Sequence, residues 1–292
     1  MRRTSLSSDD RYPMRSETDN IDMATVGDFG REWRRFDQSM VRPEENARTF
    51  REYFAIFPWD RLPLNSVGFD AGCGSGRWAV LVAKRVGRLH CVDASAAALD
   101  VARRNLTGRD NVKFHQAPIS AMPFDNASMD FGYSLGVLHH LPDPSAGLAE
   151  CVRKLKPGAP MLIYIYYAFD NKPVWFRTLW RMSDYVRRAV SKTPFPLKVA
   201  IADVLAAFVY WPLARGAQLA QRVGLNIAKW PLGAYSWRSY YTMRTDALDR
   251  FGTRLEHRMA RTEIQAMMEA AGLCDIRFSE SLPFWCAIGY RA

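Results

Sequence analysis

The stretch over residues 67–78, VGFDAGCGSGRW, constrains the fold more than any other part of this 292-residue chain. Three glycines, Gly72, Gly74 and Gly76, stand at alternate positions directly after an apolar run. Because glycine has no Cβ, the backbone can turn tightly there and a ligand can approach it closely. The stretch predicts a strand that ends in a glycine turn, followed by a helix whose first N–H groups suit an anionic ligand.

Two acidic residues distinguish this turn from one that binds a dinucleotide. Asp70 gives the spacing Asp-x-Gly-x-Gly-x-Gly, which is tighter than the dinucleotide pattern. Asp93 closes the next apolar run, LHCV. Together, the spacing and the second acidic residue favour a different ligand class.

Four ordered motifs resemble those of the class I S-adenosylmethionine-dependent methyltransferases of the type 11-like family. They are FDAGCGSG at 69–76, VDAS at 92–95, the group PFD at 123–125, MDF at 129–131 and LGVLHHLPD at 135–143, and LKPG at 155–158. The resemblance covers about residues 66–167. It implies an α/β fold with a doubly wound, mostly parallel, seven-stranded Rossmann-like sheet, and S-adenosyl-L-methionine as the cofactor.

Alternating strand and helix patterns predict the order of elements. Strands are expected near 66–70, 88–93, 111–116, 128–134 and 160–167, with helices near 76–86, 95–106 and 144–155. A helix at 262–271 and two strands at 274–281 and 283–290 end the chain, where the family's sheet has an antiparallel hairpin.

The same patterns divide the chain into five parts. We expect a disordered or loose arm at 1–24, an N-terminal helical lid segment at 25–62 and the cofactor-binding core at 63–167. Residues 168–258 are predicted to be a helical cap inserted between strand five and the last helix, and 259–292 complete the core.

The resemblance assigns cofactor contacts to residues of these motifs. Asp93 matches the position that accepts both ribose hydroxyls, which suits the two oxygens of a carboxylate, although a charge at a helix N-terminus is the alternative. Asp70 is expected at the amino end of the methionyl part, beside the glycine backbone. The remaining predicted cofactor contacts are Trp33, Cys73, Ala94, Ile119 and Ser134.

At the adenine end the sequence departs from the family. Pro118 stands where many relatives carry an acidic residue. The adenine amino group is therefore expected to meet the backbone near Ile119 or the side chain of Gln116.

Candidates for acceptor binding lie at the end of strand five and in the insertion. Tyr166 and Tyr167 end the strand, and because side chains alternate, only one can face the site directly. Aromatic side chains with polar tips suit the wall of a substrate pocket, although a lid helix packed on the core is the alternative. The predicted substrate-binding residues are Tyr167, Tyr235, Trp237, Arg238, Tyr240 and Arg244.

Three residues are candidates for catalysis: His139, Tyr166 and Tyr241. His139 is a candidate general base, although the His-His pair of this family also packs below the site. No third ligand stands at useful spacing from the histidines, so no metal site is predicted.

Composition leaves the partners open. The net charge of +10 allows nucleic acid, an anionic membrane or an acidic substrate, and five scattered cysteines suit reduced thiols in a cytoplasmic protein. No apolar core follows the N-terminal arginines, so no signal peptide is expected.

We predict methyl transfer to the oxygen, nitrogen or carbon of a small molecule, in natural-product or sugar metabolism. The alternative is a lipid or quinone methyltransferase at the membrane surface, because basic helix 174–190 lies beside apolar run 199–214. That run is predicted to be kinked or ended by Pro212 and falls short of the ~20 residues of a membrane span. A nucleic-acid methyltransferase is less favoured, since no added RNA-binding module is seen.

Overall fold

The computed structural model describes residues 20–227 and 230–292, so most of the predicted N-terminal arm lies outside the described residues. Seven strands form one sheet in the order β3-β2-β1-β4-β5-β7-β6, in which only β7 runs antiparallel to its neighbours. The strands are β1 Val67–Ala71, β2 Arg88–Asp93, β3 Val112–Gln116, β4 Phe131–Leu135, β5 Pro160–Tyr164, β6 Leu273–Phe278 and β7 Cys286–Arg291. The predicted fold class is confirmed.

Helices cover both faces of the sheet and fill the insertion. They are α1 Met23–Arg35, α2 Pro43–Tyr53, α3 Ala79–Val82, α4 Ala96–Asn105, α5 Pro144–Lys154, α6 Val174–Val190, α7 Phe195–Leu205, α8 Trp211–Arg222, α9 Tyr240–Gly252 and α10 Arg261–Ala270. The helix predicted at 76–86 is regular only over α3.

Two glycines let aromatic rings cross the centre of the sheet. Gly68 of β1 is in register with Phe131 of β4, and Phe69 is in register with Gly132. A Cβ on Gly68 would lie 2.3 Å from the Phe131 ring, and one on Gly132 would lie 2.4 Å from Phe69. Both rings are fully buried. Each ring occupies the space that a side chain on the paired glycine would need, so these two pairs fix the register of β1 and β4, the strands that carry the site.

The N-terminal helices and the insertion are tied together by buried polar contacts. Lys198 of α7 is 1% exposed and donates to Asp28 Oδ2 of α1 at 2.7 Å and to the Gly252 carbonyl at 2.8 Å. Glu45 of α2 accepts from Thr242 Oγ1 of α9 at 2.6 Å. Removing one partner of such a pair leaves an uncompensated buried charge, so α1, α2 and the insertion hold each other in place.

Three local expectations were wrong. Residues 20–24 are not a loose arm, because α1 begins at Met23 and Asn20 exchanges two hydrogen bonds of 2.8 Å with the backbone of Asp143. The helix does not end at Pro212: α7 and α8 are joined by one wide π turn at Ala206–Tyr210, which accommodates the missing N–H. Nor does the apolar segment fall short of a membrane span, because the continuous helix Phe195–Arg222 has 28 residues and, by length and composition alone, is apolar enough to cross a membrane.

Candidate active site

A cavity of about 680 Å³ lies over the carboxyl ends of the central strands. Its wall is shared by three parts of the chain: the glycine turn after β1, the N-terminal segment and the insertion. Ligands of doubly wound sheets bind at this edge, where the strand order reverses between β1 and β4. The cavity is therefore the candidate active site.

The glycine turn forms the floor of the cavity, and two of its residues contribute only backbone. Gly72 and Gly74 have φ of +81° and +53°, the left-handed region that favours glycine. A Cβ on Gly74 would lie 2.9 Å from Trp33 Nε1, and Trp33 also lines the cavity. Cys73 lies between the two glycines in the cavity wall. The turn therefore presents backbone to a ligand, under the indole of Trp33.

Asp93 is held in position at the tip of β2. Its Oδ2 accepts from the Gly74 N–H at 2.9 Å and its Oδ1 accepts from the Ser95 N–H at 2.8 Å. Burial raises the pKa of this carboxyl. Each oxygen keeps one further lone pair, so both can accept from the two hydroxyls of a ribose.

Three predicted cofactor residues lie outside the cavity wall. Asp70 is 1% exposed beside Tyr133, and burial raises its pKa to about 8, so its carboxyl belongs to the floor beneath the turn. The Ser134 hydroxyl donates to the Ala71 carbonyl at 2.9 Å. A Cβ on Gly76 would lie 3.0 Å from Leu106, so this glycine lets the following segment pack on α4.

The end of the cavity that is predicted to hold the adenine is lined by backbone and apolar groups. Ala94, Ala117, Pro118 and Ile119 all face the cavity, whereas Gln116 does not belong to its wall. This arrangement suits a flat apolar ring whose amino group meets a backbone carbonyl.

Tyr166 and Asp249 form a hydrogen-bonded pair at the opposite end of the cavity. The Tyr166 hydroxyl, just past β5, donates to Asp249 Oδ2 of α9. Burial raises the pKa of Asp249 to about 7 and that of Tyr166 well above its usual value. A carboxyl with a pKa near neutrality inside a ligand cavity is suited to take a proton from an acceptor.

Further charged groups line the same end. Arg238 Nη1 lies 3.3 Å from Asp246 Oδ2, and Arg77, the residue after the glycines, also faces the cavity. Within the described residues, Arg238 Nε and Arg77 Nε and Nη2 are buried without a hydrogen-bond partner. Burial, Asp249 and Asp246 raise the pKa of Glu32 of α1. Buried donors without partners suit a ligand that brings its own acceptor atoms.

The structure brings only part of the predicted acceptor wall to the cavity. Tyr167, Tyr235, Trp237 and Arg238 line the cavity, as does Tyr166. Tyr240, Tyr241 and Arg244 do not belong to the wall.

The structure places these three residues on other faces of α9. The Tyr241 hydroxyl accepts from the Gln38 N–H at 3.0 Å, and Arg244 donates to Asp203 of α7 at 2.7 and 2.9 Å. Tyr240 is 37% exposed and packs edge-on to Trp211. The face of α9 that meets the cavity instead carries Thr245, Asp246, Asp249 and Arg250.

Only one residue of the histidine pair lines the cavity. His139 is fully buried outside the cavity wall and stacks on Tyr166 with ring centroids 4.0 Å apart. His140 lines the cavity, and its Nδ1 donates to the Leu255 carbonyl at 2.7 Å. Burial lowers the pKa of both, that of His140 to about 4. His139 therefore supports the tyrosine rather than facing a substrate.

Sequence reasoning missed Arg77, Glu32 and Asp249. A signal existed for two of them: Arg77 directly follows the glycine triplet, and Asp249 stands three residues after Asp246, on the same helical face. Nothing in the sequence places Glu32 beside them.

Comparisons with known proteins identify the domain family that contains the glycine turn and Asp93. A family described as "Methyltransferase domain" matches residues 69–163. The core of this chain is a class I S-adenosylmethionine-dependent methyltransferase domain. Its cofactor fits the residues present, because the floor has no room for side chains at Gly72 and Gly74 and Asp93 holds two free acceptor positions.

Relatives of the methyltransferase core include quinone-pathway proteins. The chain is 34% identical over 105 residues to a demethylmenaquinone methyltransferase of Clavibacter sepedonicus, covering 36% of this chain and 42% of that protein. It is 33% identical over 95 residues to a ubiquinone biosynthesis O-methyltransferase of Alkalilimnicola ehrlichii, covering 32% of this chain and 38% of that protein. The match thus spans less than half the length of these relatives, and the insertion lies outside what the family description covers.

A similar fold is found in a complex between the Haloferax volcanii Trm112 methyltransferase activator and a putative methyltransferase. The match has a TM-score of 0.50 and 16% identity, and covers 91% of this chain and 96% of that one. At this identity the likeness concerns the fold.

Proposed function

We propose that this protein transfers the methyl group of S-adenosylmethionine to a small-molecule acceptor bound between the methyltransferase core and the cap. One observation carries the proposal: a single cavity is lined by the glycine turn and Asp93 at one end and by Arg238 and Asp249 of the insertion at the other. Cofactor and acceptor can thus share one enclosed space, which favours in-line positioning and excludes water.

The core end of the cavity holds the cofactor. Asp93 accepts from the ribose hydroxyls, the backbone of the glycine turn meets the methionyl part, and Trp33 covers it. The Ala117–Ile119 backbone flanks the adenine. The cofactor supplies an electrophilic methyl group on a sulfonium.

The cap end binds and activates the acceptor. Asp249 would take the proton from an acceptor hydroxyl, so that the acceptor oxygen could receive the methyl group that the cofactor would supply, with the carbon–sulfur electron pair staying on the cofactor's sulfur. Tyr166 holds the Asp249 carboxyl in place, and Arg238 and Arg77 offer unpartnered donors to the acceptor's oxygens.

The acceptor is an oxygen-bearing small molecule with an apolar part. Polar tips crowd the inner wall, whereas Phe169, Phe176, Trp230 and Phe284 line other parts of the cavity. Natural-product and sugar-like molecules were favoured from the sequence. The apolar lining and the names of the relatives support a second candidate, a quinone precursor with a hydroxylated ring.

We also propose a cytoplasmic location. The five cysteines are free, and four of them are buried, as expected of thiols kept in a reducing compartment.

The test is transfer of a labelled methyl group to acceptor pools, with one pool of hydroxylated sugars and natural products and one of polyprenylated hydroxyquinones. We expect label in one pool, and its loss in Asp249→Asn. Label in neither pool, from protein that binds the cofactor, would contradict the small-molecule proposal. Label in RNA or DNA instead would mean that the acceptor is a nucleic acid and not a small molecule.

A further inference from the structure

Helix α6 packs against the protein through a mixed face, on which Phe176 and Val190 lie beside polar side chains. Asp184 and Arg187 face the protein, and Arg187 is only 8% exposed while it donates to the Thr253 carbonyl at 3.1 Å and to Asp184 at 2.6 Å. A helix on the surface of a soluble domain normally buries its apolar residues. Helix α6 instead leaves an apolar stripe on its opposite side, which has no partner within the described part of the chain.

That stripe is long and continuous. Its members are all more than half exposed and follow helical spacing: Val174, Trp175, Leu179, Met182, Tyr185 and Val186. Scattered exposed apolar side chains are ordinary, but a contiguous row marks an interaction surface.

A second exposed row lies on the helix that follows. Residues Leu197, Val204, Phe208, Trp211 and Leu219 of Phe195–Arg222 are between 42% and 78% exposed. The opposite side of that helix packs into the cap through Val199, Ala202, Ala206, Tyr210 and Ala214. Because Lys198 and Asp203 of this helix are tied to Asp28 and Arg244, we interpret it as lying on a surface rather than spanning a bilayer.

The charge on α6 indicates what covers the row. Arg181 and Arg188 are exposed, whereas Asp184, the only acidic residue of the helix, is 14% exposed and paired with Arg187 and Arg188. A helix with aromatic and aliphatic residues beside arginines and without exposed acids suits an interface with anionic headgroups. A two-fold contact between copies would instead set this arginine-bearing face against itself.

We propose that the α6 face, defined as the exposed row Val174–Val186 with Arg181 and Arg188, docks the protein onto an anionic phospholipid bilayer. Trp175 and Tyr185 sit at the headgroup level, where amphipathic rings are favoured, and the aliphatic side chains enter the acyl boundary.

The cavity reaches this face. Phe176 of the first turn of α6 lines the cavity and its ring centroid is 5.7 Å from that of exposed Trp175. Trp230 also lines the cavity and is 39% exposed. An acceptor with an apolar tail would pass from the bilayer to the site by this route. Only this route rests on the proposed function; docking itself does not.

The test is vesicle flotation of the full chain with phosphatidylcholine alone and with phosphatidylcholine containing phosphatidylglycerol. We expect flotation with the anionic vesicles only. Arg181→Gln should weaken partitioning about fivefold, the factor for one arginine near an anionic surface, and added salt should weaken it further.

A triple variant, Trp175→Ser, Leu179→Ser and Met182→Ser, should abolish flotation. The matched control, Met23→Ser, Met40→Ser and Leu64→Ser, changes side chains that are at least as exposed, at 66%, 70% and 97%, and should float like the parent. Circular dichroism checks that both variants remain folded.

Three outcomes would overturn the proposal. They are equal flotation with both vesicle types, unchanged flotation of the α6 triple variant, and no flotation together with a dimer on size exclusion that the α6 triple variant dissolves. Cofactor binding, measured separately, distinguishes failure of this proposal from failure of methyl transfer.

Discussion

The two ends of the cavity are built in different ways. At the core end, backbone forms the floor of the cavity: two glycines with positive φ present the main chain, and Asp93 is fixed by the Gly74 and Ser95 N–H groups. At the cap end, the wall is formed by side chains from elements far apart in sequence, such as Tyr166 and Asp249. A site made of backbone depends on local sequence, whereas one made of side chains depends on how helices pack.

The largest effect is expected where a side chain would enter the backbone floor. Gly74→Val should abolish cofactor binding, because its Cβ would meet the Trp33 indole at 2.9 Å and its φ of +53° disfavours a branched residue. Equilibrium dialysis with S-adenosylhomocysteine measures this. Gly158 also has a positive φ, but a Cβ there would have nothing within 4 Å, so Gly158→Val should keep the cofactor affinity of the parent. An equal loss of affinity in both variants would mean that backbone strain, and not a blocked cavity floor, causes it.

A large effect on turnover is expected at the cap end. Asp249→Asn removes the proposed base and should lower kcat by about 10²–10⁴-fold while cofactor affinity changes by at most about 0.5 kcal/mol. Asp203→Asn, at an acid of the cap that pairs with Arg244 outside the cavity, is the matched control and should keep kcat. A parallel loss in the two variants would point to damage of the cap.

The pH profile sharpens the same assignment. The base acts when ionised, and burial raises the pKa of Asp249 to about 7. Activity should therefore rise with pH and reach half its plateau near pH 7. A profile that is flat across this range, with chemistry rate-limiting, would remove Asp249 from the role.

The core end should respond more mildly to loss of one side chain. Asp93→Ala should weaken cofactor binding by roughly 1–3 kcal/mol, as for the loss of hydrogen bonds to a charged group. Isothermal titration with S-adenosylhomocysteine measures the change. An unchanged affinity would mean that Asp93 only orders the turn through its bonds to Gly74 and Ser95.

The smallest effect is expected just outside the cavity. Tyr241→Phe deletes the acceptor for the Gln38 N–H but touches no part of the cavity wall. We expect unfolding to be easier by about 0.5–1.5 kcal/mol in denaturant titration, with kcat unchanged. A fall in kcat without a change in stability would mean that Tyr241 does take part in the acceptor site.

These differences explain what the sequence could predict. The glycine turn and the tip of β2 are local, so Gly72, Gly74 and Asp93, which the motif spacing and the family resemblance singled out, all line the cavity. The wall from α9 depends on the rotation of one helix, and a shift of five residues moves the lining from Tyr240, Tyr241 and Arg244 to Thr245, Asp246 and Asp249. Asp70 and Ser134 lie on the predicted strands. Their side chains are directed beneath the cavity floor, because Asp70 lies beside Tyr133 and the Ser134 hydroxyl donates to the Ala71 carbonyl.

Packing also decided what apolar periodicity could not. The spacing of α6 predicts an amphipathic helix, but Arg187 donates to the Thr253 carbonyl on the buried face, while an apolar row stays exposed. Pro212 was expected to kink or end the helix, and the preceding π turn lets the helix continue past it, so the helix does not end there.

The most direct test of the central claim is equilibrium dialysis of the full chain against labelled S-adenosylmethionine, beside Gly74→Val. We predict that the parent retains about one equivalent, displaced by S-adenosylhomocysteine, and that folded Gly74→Val retains none. A folded parent that retains no label would contradict the assignment of this cavity to the cofactor.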